Sequence, residues 1–131
     1  MDERTKIYGA YAAVFLKYDG ELKMLGIKLS KELKLTEFYY DNDTDWPYED
    51  VGMCEIMGFE IWLRKSRRFK SFSFSIEIET QISLNESFND QMYDLSPWLA
   101  RYISIMCDID TCVFDNETST QIFFKKENRS K

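Results

Sequence analysis

The chain has no histidine, and only two prolines, five glycines and three cysteines among its 131 residues. Without histidine there is no imidazole general base, no Ser-His or Cys-His pair and no His-ligated zinc. The cysteines Cys54, Cys107 and Cys112 lack CxxC spacing. They offer neither a disulfide framework nor a Cys-rich metal site, and read as plain buried thiols. No apolar run approaches the ~18 residues of a membrane span, and Met1-Asp2-Glu3-Arg4-Thr5-Lys6 lacks the pattern of a secretory signal. The expectation is a reduced, cytoplasmic protein without membrane contact. Positive charge is also short. Seventeen Lys and Arg face 23 Asp and Glu, a net charge of −6. Phosphate contacts need a surplus of base, so a direct nucleic-acid role is disfavoured.

Core-forming residues, by contrast, are abundant: 44% of the chain is hydrophobic, with ten Phe, eight Tyr and three Trp. A chain of this length suits one domain, here residues 1–131, that buries roughly two-thirds of its unfolded surface. No linker or internal repeat interrupts it. Ile7–Tyr18 is nearly all apolar, a pattern shared by buried strands and helices alike. From Glu21 to Leu35, Leu22, Leu25, Leu29 and Leu33 recur at helical spacing among lysines, which predicts an amphipathic helix, with a strand alternation through Leu25, Ile27 and Leu29 as the competing reading. Short aromatic or branched runs at Glu37–Tyr40, Ile56–Leu63, Thr111–Phe114 and Gln121–Phe124 read as strands.

The clearest run is Phe72, Phe74, Ile76 and Ile78 alternating with serines and glutamates, a half-buried antiparallel strand. A loop at Arg64–Lys70 would join it to the preceding strand as a hairpin. Ser96-Pro97 opens a second helix, with Ser at the N-cap, Pro at the first helical position and Asp94 near the positive end of the dipole. Trp98, Tyr102, Ile105 and Met106 share one side of it and are expected to pack on the sheet. Lys125–Lys131 reads as a frayed basic tail. The sum is an α+β domain: a mostly antiparallel sheet packed against about two helices.

Charge is segregated along the chain. Leu35–Leu63 holds eight acids and no base, Arg64–Lys70 holds five bases in seven residues, and Ser71–Phe124 holds nine acids against Arg101 alone. Tyr39, Tyr40, Trp46 and Tyr48 stand among the acids of the first block. Aromatic anchors within a charged field have the composition of a protein interface, and such a field steers a basic partner. The candidate partner-binding set is Asp41, Asp43, Asp45, Glu49 and Asp50 with Tyr39, Tyr40, Trp46 and Tyr48. Glu77 and Glu79 of the second block are the alternative. A solvated, solubilising surface would carry the same charges, and aromatics at the rim of a core would look the same in sequence.

Other chemistries fit less well. Asp41-Asn42-Asp43-Thr44-Asp45 opens like a calcium loop, but Trp46 replaces the required glycine and Gly52 the bidentate glutamate. Glu77 and Glu79 share one side of a strand, yet a chain with 23 carboxylates offers such pairs by chance. GxGxxG, GxxxxGK[ST] and GxSxG are absent. The expectation is therefore no catalytic residue, no metal and no cofactor. A carboxylate-based enzyme, a small-ligand or metal-binding module, and an acidic regulatory subunit of another complex are the competing classes.

Three segments carry a likeness to a known group. Trp46-Pro47-Tyr48-Glu49, Gly58-Phe59-Glu60-Ile61-Trp62-Leu63 and Leu95-Ser96-Pro97-Trp98-Leu99-Ala100-Arg101-Tyr102 resemble immunity proteins of bacterial contact-dependent growth inhibition and related polymorphic toxin systems. The resemblance implies a small cytoplasmic α+β protein without catalytic activity. Its partner would be the cognate toxin domain, often a nuclease, neutralised by tight binding. It implies no particular site residues. The acid surplus fits independently, because a nuclease must bind polyanions and tends to be basic.

Overall fold

A computed structural model of the chain describes residues 9–42, 50–80, 92–115 and 118–125. The alternation that starts at Phe72 forms the spine of the sheet. Strand β5 (Phe72–Thr80) runs antiparallel to β4 (Phe59–Phe69) on one side and to β1 (Gly9–Leu16) on the other. Beyond β4 lie β3 (Asp50–Ile56) and β2 (Tyr39–Asn42); beyond β1 lie β7 (Thr111–Asp115) and β8 (Thr120–Phe124). The order is β2-β3-β4-β5-β1-β7-β8, with the short β6 (Met92–Asp94) parallel to the first residues of β1. All the other pairings are antiparallel, and helices α1 (Leu22–Leu33) and α2 (Ser96–Cys107) pack on one face. The α+β reading is borne out.

The apolar run Ile7–Tyr18 resolves as strand β1. Its ambiguity has a physical cause, because β1 is central and carries apolar residues on both faces. Ala12, Val14 and Leu16 point into the main core beneath the helices, while Phe15 is buried on the opposite side with Phe72 and Cys112. No alternation could appear in the sequence. The main core is built from Leu16, Leu25, Leu29, Leu63, Ile76 and Ile103, all fully buried. The three cysteines are free and buried.

Helix α1 follows its leucine spacing: Leu22, Leu25 and Leu29 are buried, and Lys34 in the left-handed region closes it. Helix α2 departs from expectation in two ways. Leu95, not Ser96, is the N-cap. The Ser96 hydroxyl is used elsewhere, accepting the Ala13 N–H at 2.9 Å. In register, β7 pairs only with Phe15 and Leu16 of β1, so this bond ties the helix to the part of β1 that β7 leaves. Asp94 takes over the capping role, accepting the Ser96 N–H at 2.9 Å at the positive end of the helix.

The second departure is the packed side of α2. Leu99, Ala100, Ile103, Ser104 and Cys107 face the core, whereas Trp98, Tyr102 and Met106 are exposed. Both sets recur at helical spacing. The smaller set sits closer to the sheet, and a buried hydroxyl, Thr111 Oγ1, reaches the Ala100 carbonyl at 2.8 Å. Trp98 and Tyr102 stack on each other instead, with ring centroids 5.3 Å apart and planes 7° from parallel.

Two strand boundaries also differ. The run Ile56–Leu63 is not one strand, because Met57 and Gly58 turn the chain between β3 and β4. Both have positive φ, 53° and 83°, the requirement of a tight type I′ hairpin, and Gly58 meets it at no steric cost. The basic segment Arg64–Lys70 is not a loop. Strand β4 continues through it to Phe69, with a register irregularity between Lys65 and Phe69, and the turn is at Lys70-Ser71. Of the basic tail only Lys125 lies within the described residues.

Candidate functional site

Both described helices lie on one side, and among the described residues no helix covers the other face of the sheet. Paired residues on neighbouring strands share a face, so the register sorts the side chains into rows. One row crosses five strands. Glu55 of β3 lies opposite Glu60 of β4, Glu60 opposite Glu79 of β5, Glu79 opposite Tyr11 of β1, and Tyr11 beside Asp94 of β6. At about 4.8 Å per strand the row is roughly 19 Å long. Glu55, Glu79 and Asp94 are exposed and Glu60 is half-buried. Asp94 accepts a hydrogen bond from the Tyr11 phenol; partial burial first, then the Asp94 charge and this bond, raise the phenol above its ordinary range.

The next row holds Tyr39, Met53, Trp62 and Glu77 on β2, β3, β4 and β5. Tyr39 is 66% exposed. Trp62 and Met53 are half-buried, and the Arg64 guanidinium lies over the Trp62 ring, 5.0 Å from its centroid. Glu77 is exposed beside them. Toward the far end of the strands the face closes. Phe69 meets Phe15 edge-on at 4.7 Å, and Arg68 covers the Phe114 ring at 4.6 Å. Acids therefore occupy the end of the sheet near the β3–β4 turn, and the Arg64–Lys70 bases occupy the end near the β4–β5 turn. Ten residues of strand, about 30 Å, separate the extremes. The segregation seen along the sequence becomes a charge gradient along the strands.

The candidate residues of the first acidic block divide. Tyr39 projects from the open face, but Tyr40 turns inward beneath α1. Its ring lies against Gly26 of α1 and Gly52 of β3, where a Cβ at either position would press on it. Its hydroxyl reaches the Lys23 carbonyl at 3.5 Å, and burial raises its pKa. Tyr40 thus locks the helix to the sheet. Asp41 and Asp50 lie within β2 and β3, paired in register with Val51 and Asn42. Asp43, Asp45, Trp46, Tyr48 and Glu49 lie outside the described residues.

The second block is brought together more fully: Glu77 and Glu79 join Glu55, Glu60, Asp94, Tyr11 and Trp62 on one face. The last five were absent from the sequence-level set. Glu60 and Trp62 alternate with buried Ile61 and Leu63, a period that marks them as one face of a strand; which residues of other strands stand beside them is set by register alone.

Among the described residues, cavities flank the sheet at two places. One, of about 480 Å³, lies between α1 and β2 against Ile27, Lys31, Leu35, Phe38 and Tyr40. The other, of about 470 Å³, opens where β7 leaves β1 and is lined by Tyr11, Asp94, Ser96, Pro97, Phe114 and Asp115. Asp94 there is engaged in capping α2 and holding Tyr11, a structural use of a carboxylate. Among the described residues no three Cys, Asp or Glu side chains gather as metal ligands, and no helix is long and apolar enough to cross a membrane. Comparison of the chain with protein families, with curated proteins and with solved structures finds no match.

Proposed function

We propose that this chain is an immunity protein that binds and neutralises a basic toxin domain of the nuclease type, acting by occupation rather than catalysis in the cytoplasm of the bacterium that makes it. One observation carries the reading: the face of the sheet opposite α1 and α2 presents four carboxylates in a single cross-strand row, beside Tyr39, Trp62 and Glu77. Like charges placed directly opposite one another weaken a sheet. A row of three adjacent glutamates is costly for folding and useful for meeting a positively charged surface. The aromatic side chains in the neighbouring row supply the apolar contacts that charge alone does not. The sequence resemblance to immunity proteins of contact-dependent growth inhibition points the same way.

The test uses the toxin domain encoded beside this gene. The two proteins should form a stable complex that suppresses the toxin's activity, with an association rate that falls steeply as salt is raised. Charge reversal at Glu60 and Glu79 together should slow association on the order of 10-fold or more at low salt. A parallel pair of reversals at Asp43 and Asp45 reports the contribution of the first acidic block. Association that is fast, salt-independent and unchanged by both pairs would remove the acidic face from the mechanism.

A further inference from the structure

The two ends of the sheet are protected very differently. At one end β2 contains Asp41 and is followed in sequence by Asp43 and Asp45, and charge on an edge strand discourages pairing with another chain. At the other end β8, Thr120-Gln121-Ile122-Phe123-Phe124, carries no charge and no proline, and its register with β7 is regular, without a bulge. Among the described residues β7 is its only strand neighbour. It is also apolar on both faces: Ile122, on the helix side, is 39% exposed, and Phe123, on the open side, is 53% exposed. Among the described residues no bulge, proline or charge lies within β8 itself, and Lys125 is the first charge after it.

We infer that β8 is a dimerisation edge, pairing antiparallel with β8 of a second copy of this chain. The occupant follows from charge and from self-complementarity. Each copy carries −6, and β8 is an edge strand without charge, so a contact there brings no like charges together. A two-fold axis through Phe123 places Phe123 against its own counterpart on the open face and Ile122 against Phe124 of the other copy on the helix face. Every exposed apolar side chain of the strand then meets another, a favourable cross-strand arrangement. Lys125 falls opposite Gln121 of the other copy, which keeps the two ammonium groups about 13 Å apart. The contact is isologous and closes at two, and it places both acidic faces on the same side of one continuous sheet. With five residues a side it is smaller than the about 1,200 Å² at which stable interfaces begin and belongs with weak contacts, so the test spans dissociation constants from about 1 µM to about 1 mM.

Sedimentation of the full chain over a concentration series should show a monomer–dimer equilibrium in that range. Phe123→Lys should abolish the dimer, whereas Tyr39→Lys at the opposite edge should leave it intact. Mild oxidation of Phe123→Cys should crosslink two chains, since a residue on the two-fold axis meets itself within disulfide reach. Ile122→Cys should not crosslink; both cysteine variants are made on a Cys112→Ala background, because Cys112 stands directly opposite position 123 on β7, while Cys54 and Cys107 are buried elsewhere. If Phe123→Lys does not fold, as judged by circular dichroism, the crosslinking pair decides. A chain that stays monomeric to about 1 mM, assembles beyond a dimer, dimerises despite a folded Phe123→Lys, or crosslinks through Ile122→Cys instead overturns the proposal.

Discussion

Replacing Glu60 by lysine should stabilise the fold and damage partner binding in the same variant. Glu60 stands between Glu55 and Glu79, each directly across a strand boundary. Two unit charges about 5 Å apart in water repel by about 0.8 kcal/mol, in line with the ~0.2–1 kcal/mol seen for cross-strand pairs. Lysine at this position removes two repulsions and supplies two attractions, for a net gain of about 1–2 kcal/mol after side-chain ordering. In a domain of this size that is a rise of roughly 3–6 °C in melting temperature by calorimetry. Salt gives a second signature, because screening shortens from about 10 Å at 0.1 M to about 3 Å at 1 M. Added salt should raise the melting temperature of the wild type relative to that of Glu60→Lys, closing the gap between them. Glu60→Gln should gain about half as much. A variant that melts at or below the wild type at low salt, in a chain that folds normally, would show that the three carboxylates do not oppose one another.

Three further outcomes follow from the packing. Gly26→Ala should destabilise the protein by about 1–3 kcal/mol in thermal or urea unfolding, although alanine normally favours a helix by ~1 kcal/mol, because the new methyl meets the Tyr40 hydroxyl. Ser96→Ala should cost about 1–2 kcal/mol in the same assay by leaving the Ala13 N–H without its acceptor. Cys107 gives a pH dependence: burial pushes its thiol from 9.0 up to about 11, with Lys28 opposing and Glu32 adding to the shift. The unfolded chain then releases this proton first, so the contribution is intact below pH 9 and is lost as pH rises toward 11, amounting to ~2 kcal/mol. Cys107→Ala should flatten that part of the stability profile, whatever its effect at neutral pH.

Much of the local structure is legible without coordinates. The alternation at Phe72–Ile78 and the leucine spacing at Leu22–Leu29 each name an element and its buried side, because one face of each is wet. Legibility fails where both faces are apolar, as in β1, and where two apolar stripes compete, as in α2. There the larger stripe of Trp98, Tyr102 and Met106 loses to the smaller one, since close approach of helix and sheet favours Ala100 and Ser104 over aromatic rings. It fails again at Met57-Gly58, where a two-residue turn hides inside an apolar run. The basic stretch Arg64–Lys70 reads as a loop by composition but is held extended by its pairing with β5.

By itself, then, the sequence determined the absence of imidazole chemistry, the α+β class, and a surplus of acid separated from a compact block of base. These are properties of composition and of short-range period, which survive without knowing which strand lies beside which. Tertiary structure alone decided that Glu55, Glu60, Glu79 and Asp94, up to 39 residues apart in the chain, line up on one open face with Tyr11. Register between strands is set by the whole buried face at once, and a shift of one residue would send every one of those carboxylates to the other side. Local sequence holds no record of it.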